Sequence, residues 1–224
     1  MTELTLVRHG ETDWNRIRRF QGQLDVPLNE LGHLQAGRLP QALAGDHFDL
    51  VLASDLARVR ATAAPLLAQR GWTAHHDARW REQHYGAFEG QDVATLRREQ
   101  PELWRRYGEH RADFAPPGGE TTRQFYARVH AAVQDVVERH AGRRVLIVTH
   151  GGVLDMLWRG VHGLPLDGAR RCAIPNAGIN RLRWQDGRLT IVSWAVADHL
   201  ADLPEQPSTD PLTSAPADPD AIAP

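Results

Sequence analysis

Val145-Leu146-Ile147-Val148-Thr149-His150-Gly151-Gly152 is the stretch on which the fold turns. A run of β-branched and aliphatic residues with no polar alternation suits a strand covered on both faces, the condition at the centre of a parallel sheet. The two glycines after His150 open a helix. Before this run, Glu120 to His140 reads as a long helix with Phe125, Val129, Val133, Val136 and Val137 as its core stripe. After it, Ile179–Trp184 and Leu189–Trp194 flank Asp186-Gly187, a hairpin signal. Further back, Leu4 to Val7 is a first strand ending at Arg8-His9-Gly10, and Leu50 to Ala53 is a second, followed by a helix from Leu56 to Gln69. Glu30 to Leu43 is expected as a helix with Leu31, Leu34, Leu39 and Leu43 inward and Pro40 near its end. Trp72-Thr73-Ala74 is expected as a third strand, and Gln91 to Tyr107 as a helix broken at Pro101, stopped by Pro116-Pro117-Gly118-Gly119.

Strands alternating with helices predict an α/β domain, a three-layer sandwich with a mostly parallel central sheet flanked by helices, over residues 1–200. From Ala201 the composition shifts to six prolines and five acids without an arginine, so residues 201–224 are expected to be a disordered tail. The whole chain has 224 residues, 42% of them hydrophobic and 24% charged, an ordinary balance for a soluble protein. No apolar run is long enough to cross a bilayer, and the start turns charged too soon for a secretory signal. Cys172 is the lone cysteine, so the cytoplasm is the expected compartment. A net charge of -2 gives no pull toward nucleic acid or membrane, and the seven tryptophans read as core and pocket wall. Every basic residue is arginine, which excludes P-loop and Schiff-base chemistry, since both need a lysine.

Ligands of open α/β sheets bind beyond the carboxyl ends of the strands. Those ends carry Arg8-His9, then Ser54 with Arg58 a turn later, then His150 with Gly151. Two histidines and two arginines thus converge on one edge, a site for a small dianion. Arginine presents a charged fork that matches phosphate oxygens, and a helix starting at Gly151 aims free N–H groups at the same anion. Histidine is a competent nucleophile when neutral, and neighbouring arginines favour that form. An acid must protonate the departing alkoxide; Glu82 is preferred and Glu89 is its rival. Ser54 is taken as a helix N-cap, Glu120 as positioning the start of its helix, and the pairs Arg97-Arg98, Arg143-Arg144 and Arg170-Arg171 as solvated faces. His75-His76 is not expected to hold a metal, because adjacent strand residues point apart.

Arg8-His9-Gly10-Glu11-Thr12 with Asn15, Phe20 to Gly32, Ser54 to Ala63, Glu82 to Gly90, Pro116 to Thr121 and Val148 to Gly152 together resemble, in order, the blocks of the histidine phosphatase superfamily, which includes the cofactor-dependent phosphoglycerate mutases. The resemblance runs from Leu4 to Leu200. It implies a phosphoglycerate mutase-like fold and a phosphohistidine at His9. It implies further that Arg8, Arg58 and His150 hold the phosphoryl group, with Gly151 beside them, and that Glu82 is the proton donor. Asn15 and the Gln21-Gly22 turn are implied in the pocket as well. Ala61 stands where many relatives carry glutamine. Against the mutases, Gln21 replaces their serine or threonine, Gln83 replaces arginine, and the segment from Gly86 to Pro116 is short; Val196 to Leu200 looks more like the phosphatase branch. Arg105-Arg106 resembles the mutases' paired arginines. The expectation is a metal-independent phosphomonoesterase with no cofactor, acting on a small phosphorylated metabolite, as monomer or homodimer. The mutase stands second and a non-catalytic phosphate-binding module third. Substrate candidates are phosphorylated sugars, phosphoglycerate derivatives and, by resemblance, a ribazole phosphate.

Overall fold

A computed structural model describes residues 1–204. Its strands are β1 (Thr2–Arg8), β2 (Leu50–Ala53), β3 (His75–His76), β4 (Arg144–Thr149), β5 (Ile179–Gln185) and β6 (Arg188–Val196), joined in one sheet of order β3-β2-β4-β1-β5-β6. The first four run parallel, while β5 pairs antiparallel with both β1 and β6. The helices are α1 (Asp13–Arg16), α2 (Glu30–Ala42), α3 (Ala57–Arg70), α4 (Val93–Glu99), α5 (Pro101–Gly108), α6 (Thr122–Arg139) and α7 (Gly151–His162).

Successive strand residues point to opposite faces, and this divides the core in two. Leu4, Leu6, Val145 and Ile147 pack with Phe125, Val129 and Val133 of α6 and Leu154 and Leu157 of α7. Val7, Leu146 and Val148 face the other way, onto Leu39 of α2 and Val59 and Leu66 of α3. The sandwich has the three layers read from the sequence. A smaller cluster of Phe20, Phe88 and Leu96, joined by Leu103, Trp104 and Tyr107, holds α4 and α5 as a cap. Asp186 and Gly187 turn the β5–β6 hairpin with φ of 50° and 75°, the left-handed conformation that an Asp-Gly turn supplies.

Three expectations need correcting. Leu34 is 57% exposed; Gln35 takes the inward place on α2, its side-chain oxygen accepting from Glu11 N at 2.8 Å. The third strand is His75–His76 rather than Trp72–Ala74. Both histidines are exposed, paired with Leu52 and Ala53 at the sheet edge, while Trp72 packs against Phe48. Packing also continues past residue 200: Leu203 rests on the second core, and Asp202 forms an ion pair with Arg38. The rest of the expected tail, 205–224, lies outside the described residues. Among the described residues, no helix is long and apolar enough to cross a membrane.

Candidate active site

Because β1 and β4 are parallel, with Arg8 beside Thr149, their carboxyl ends deliver His9 and His150 to the same edge. The backbone of His9 is fixed on both sides. Its N–H donates to Thr149 O at 2.9 Å, and its carbonyl accepts from Asn176 Nδ2 at 3.0 Å. The next N–H, of Gly10, donates to Thr62 Oγ1 at 2.9 Å. Residue 10 must lack a side chain, since a Cβ there would lie 2.5 Å from the Gly32 carbonyl oxygen. His9 Nδ1 lies 2.7 Å from the Gly10 carbonyl oxygen. A carbonyl can only accept, so Nδ1 carries the proton and Nε2 keeps its lone pair. The ring is 3% exposed, and burial, then Arg58 and Arg8, push its pKa well below the usual 6.5. The imidazole is neutral, as the sequence led us to expect.

Arg58 comes from the first turn of α3 and is fully buried. It donates to Leu24 O at 2.8 Å and Gly22 O at 2.7 Å, which ties the 21–24 turn to the site. Gly22 has φ of 49°, and a Cβ there would lie 2.0 Å from Glu89 Oε1, so the turn tolerates only glycine. Glu89 thus sits beneath the turn, its Oε1 accepting from Gln23 N and Tyr85 N at 3.0 Å each. Arg8 donates to the Ile174 carbonyl. Burial lowers Arg58 to about 10, and burial followed by the charge of Arg170 lowers Arg8 to about 9. Both remain cations at neutral pH, yet they are costly ones to bury, and an anion between them offsets that cost.

His150 stands behind His9, with ring centroids 5.2 Å apart in an edge-to-face arrangement. Its Nε2 lies 2.9 Å from Ser54 Oγ, and its Nδ1 is buried without a protein partner. Ser54 therefore serves His150; the residue at the N-cap of α3 is Leu56. Glu82 Oε2 accepts from Gly152 N at 3.0 Å and its Oε1 from Gln83 N at 2.8 Å, which fixes the carboxylate at the start of α7. Asn15 Oδ1 accepts from Thr12 N at 3.0 Å, so the amide NH2 is the end left for the cavity. One cavity enclosing about 180 Å³ is lined by Arg8, His9, Asn15, Arg58, Glu82 and Gly151 together with the Gln21-Gly22 turn. The structure thus gathers the expected site residues, with His150 just behind the wall.

Several wall residues were not foreseen. Arg170, expected on a solvated face, lines the cavity, as do Tyr107, Arg111 and Asp155, while Trp14 is a pocket-wall tryptophan of the kind expected. Tyr107 and Asp155 reach it from α5 and α7, whereas loops carry Arg111 and Arg170 inward, where hydrophobic spacing gives no sign of them. Arg105 behaves in the opposite way: it is exposed and paired with Glu102 and Glu109 on its own helix face. Arg106 stacks over Phe114. Glu120 pairs with Arg128 and accepts from His84 N at 2.9 Å, while Thr121 caps α6.

Residues 4–197 match the family described as the histidine phosphatase superfamily (branch 1). The chain is 34% identical over 215 residues to a Yersinia pestis protein named probable phosphoglycerate mutase GpmB, covering 95% of this chain and 99% of that one. Among solved structures, Bacillus stearothermophilus YhfR superposes with a TM-score of 0.84 at 32% identity, covering 89% of this chain and 100% of that one. A mycobacterial glucosyl-3-phosphoglycerate phosphatase, solved with VO3, gives 0.78 at 32% identity, covering 87% and 99%.

Proposed function

From the premise that the chain belongs to the histidine phosphatase superfamily, branch 1, and is an enzyme of that phosphatase family, we propose that it is a metal-independent phosphomonoesterase for a small phosphorylated metabolite. The observation that carries this reading is the 2.7 Å approach of His9 Nδ1 to the Gly10 carbonyl, which puts the proton on Nδ1 and leaves Nε2 as a nucleophile near the buried Arg58 and Arg8. His9 Nε2 attacks phosphorus while the ester oxygen departs with a proton from Glu82. Water, deprotonated by the Glu82 carboxylate, then attacks the phosphohistidine, releasing phosphate and restoring both side chains. In this reading Arg8, Arg58 and the Gly151 N–H hold the equatorial oxygens, whose charge grows in a metaphosphate-like transition state, and His150 supports the group from behind His9. Asn15 and the Gln21-Gly22 turn complete the phosphoryl cradle. Fixed cations do the work a metal does in other phosphatases, and the lone Cys172 suits a cytoplasmic enzyme.

The name of the Yersinia relative favours a second reading, transfer of a phosphoryl group between hydroxyls of one phosphoglycerate. That reaction needs phosphohistidine to outlive water in a closed pocket. The outward-turned, self-paired Arg105 speaks for hydrolysis. The deciding assay is phosphate release from an aryl phosphate with excess chelator, for wild type and His9→Ala. Release that survives chelation and vanishes without His9 is expected. Loss on chelation overturns the metal-free mechanism. Phosphoglycerate interconversion that depends on a bisphosphate primer, without phosphate release, overturns the hydrolase in favour of the mutase.

A further inference from the structure

Ser54 directly follows β2, where Ala53 pairs with Val148 of β4. Its own N–H donates to Val148 O at 3.1 Å, so the ladder carries it to the end of β4, beside His150, the N-cap of α7. Both residues are sealed from solvent, each being 0% exposed. Among the described residues Ser54 Oγ has two hydrogen-bond neighbours, Leu56 N at 3.4 Å and His150 Nε2 at 2.9 Å. The amide can only donate, as in the turns a serine makes with the residue two further on, and it occupies one lone pair of the oxygen. The hydroxyl proton is buried and needs an acceptor, which leaves His150 Nε2.

An Nε2 that accepts is unprotonated, so the proton of a neutral ring sits on Nδ1. The ring is neutral, because burial first and the charge of Arg58 second hold its pKa well below the usual 6.5. Nδ1 faces away from Ser54 and is buried without a protein partner. The next residue, Gly151, lines the cavity, and the His9 ring packs against that of His150. A buried N–H without an acceptor is costly, and an anionic oxygen held at His9 removes the cost. With the proton on Nε2 instead, Nδ1 would turn a lone pair on that oxygen and repel it.

We propose that Ser54 is a positioning residue, whose hydroxyl donates to His150 Nε2 and so places the ring proton on Nδ1, where it is given to an oxygen of the phosphoryl group at His9. The proposal rests on the reading of His9 as the phosphoryl acceptor. The two histidines then carry the same tautomer for opposite uses. A carbonyl acceptor on Nδ1 frees Nε2 of His9 to attack, and a hydroxyl donor on Nε2 readies Nδ1 of His150 to donate.

Nitrogen NMR of protein labelled at histidine, with inorganic phosphate bound at neutral pH, reads the tautomer directly. The His150 signals, assigned by their loss in His150→Gln, should show a protonated Nδ1 and a bare Nε2. A proton on Nε2, alone or on both nitrogens, overturns the proposal. In Ser54→Ala the signals should move toward a mixture of tautomers. With phenyl phosphate, kcat of that variant should fall about 10- to 100-fold, approaching the loss of one oxyanion donor. Ser54→Thr keeps the hydroxyl and should hold the Nδ1–H tautomer with kcat within about threefold of wild type. An unchanged His150 tautomer or unchanged kcat in Ser54→Ala also overturns the role of Ser54. The wild-type spectrum decides whether or not Ser54→Thr folds. Absence of phosphate release from phenyl phosphate by the wild type strikes the phosphomonoesterase reading instead, since the tautomer is read without turnover.

Discussion

Replacing Gly152 with alanine adds one methyl group where the proposed acid rests. The new Cβ would lie 2.0 Å from Glu82 Oε1 and 2.9 Å from Phe125 Cε1. A carbon–oxygen contact relaxes near ~3.4 Å, so the carboxylate must retreat by roughly 1.4 Å and give up its bond from Gly152 N. Misplacement on the scale of ~1 Å costs about 100-fold, and a positioned general acid supplies about 100- to 10,000-fold. With an alkyl phosphate, whose alkoxide cannot leave unprotonated, kcat should therefore fall about 100-fold. With 4-nitrophenyl phosphate, whose phenolate leaves without help, the loss should stay within about tenfold. Stability should change little: alanine gains up to ~1 kcal/mol in a helix, against about 1–3 kcal/mol for crowding Phe125. Steady-state kinetics on both esters, beside a thermal melt, reads the outcome. Equal losses on the two esters, or none on either, would refute Glu82 as the proton donor.

Three further outcomes follow from the same geometry. Native His9 and His150 resist protonation, whereas an unfolded histidine takes a proton near pH 6.5. The unfolded state then binds more protons, so stability present above pH 6.5 is lost as pH falls toward the lowered native values, by about 1.4 kcal/mol per pH unit for each histidine. Urea midpoints between pH 7.5 and 5.5 should show this slope, reduced in His9→Gln; a flat profile contradicts it. Thr62→Val removes the acceptor of the Gly10 N–H and should cost about 1–3 kcal/mol in chemical denaturation, because a buried donor loses its partner. Arg105→Ala should leave kcat/KM within about twofold, since its partners are Glu102 and Glu109 at the surface; a tenfold loss would bring back the mutase reading.

The parts of the fold legible in the sequence were those whose pattern reflects burial on a large scale. The Val145–Thr149 run could hardly be anything except a covered strand, and it lies between β1 and β2. Sequence also led to one edge where strand ends converge, because parallel strands leave little choice about where their carboxyl ends meet. What stayed hidden depends on single contacts. A two-residue strand of exposed histidines has no hydrophobic signature; only its ladder to Leu52 and Ala53 makes it a strand. Ser54 looks like a cap, and only the 2.9 Å approach of His150 shows what it serves. Arg170 looks solvated beside Arg171, and its inward place follows from how Arg159 gathers the carbonyls of the preceding loop.

The cap of α4 and α5 rests on a hydrophobic nucleus of its own, built around Phe20, Phe88 and Leu96, none of which belongs to the two cores that sandwich the sheet. Substitutions in α4 and α5 that leave Leu96 and its contacts with Phe20 and Phe88 in place should therefore spare the packing of the two sheet cores that aims His9.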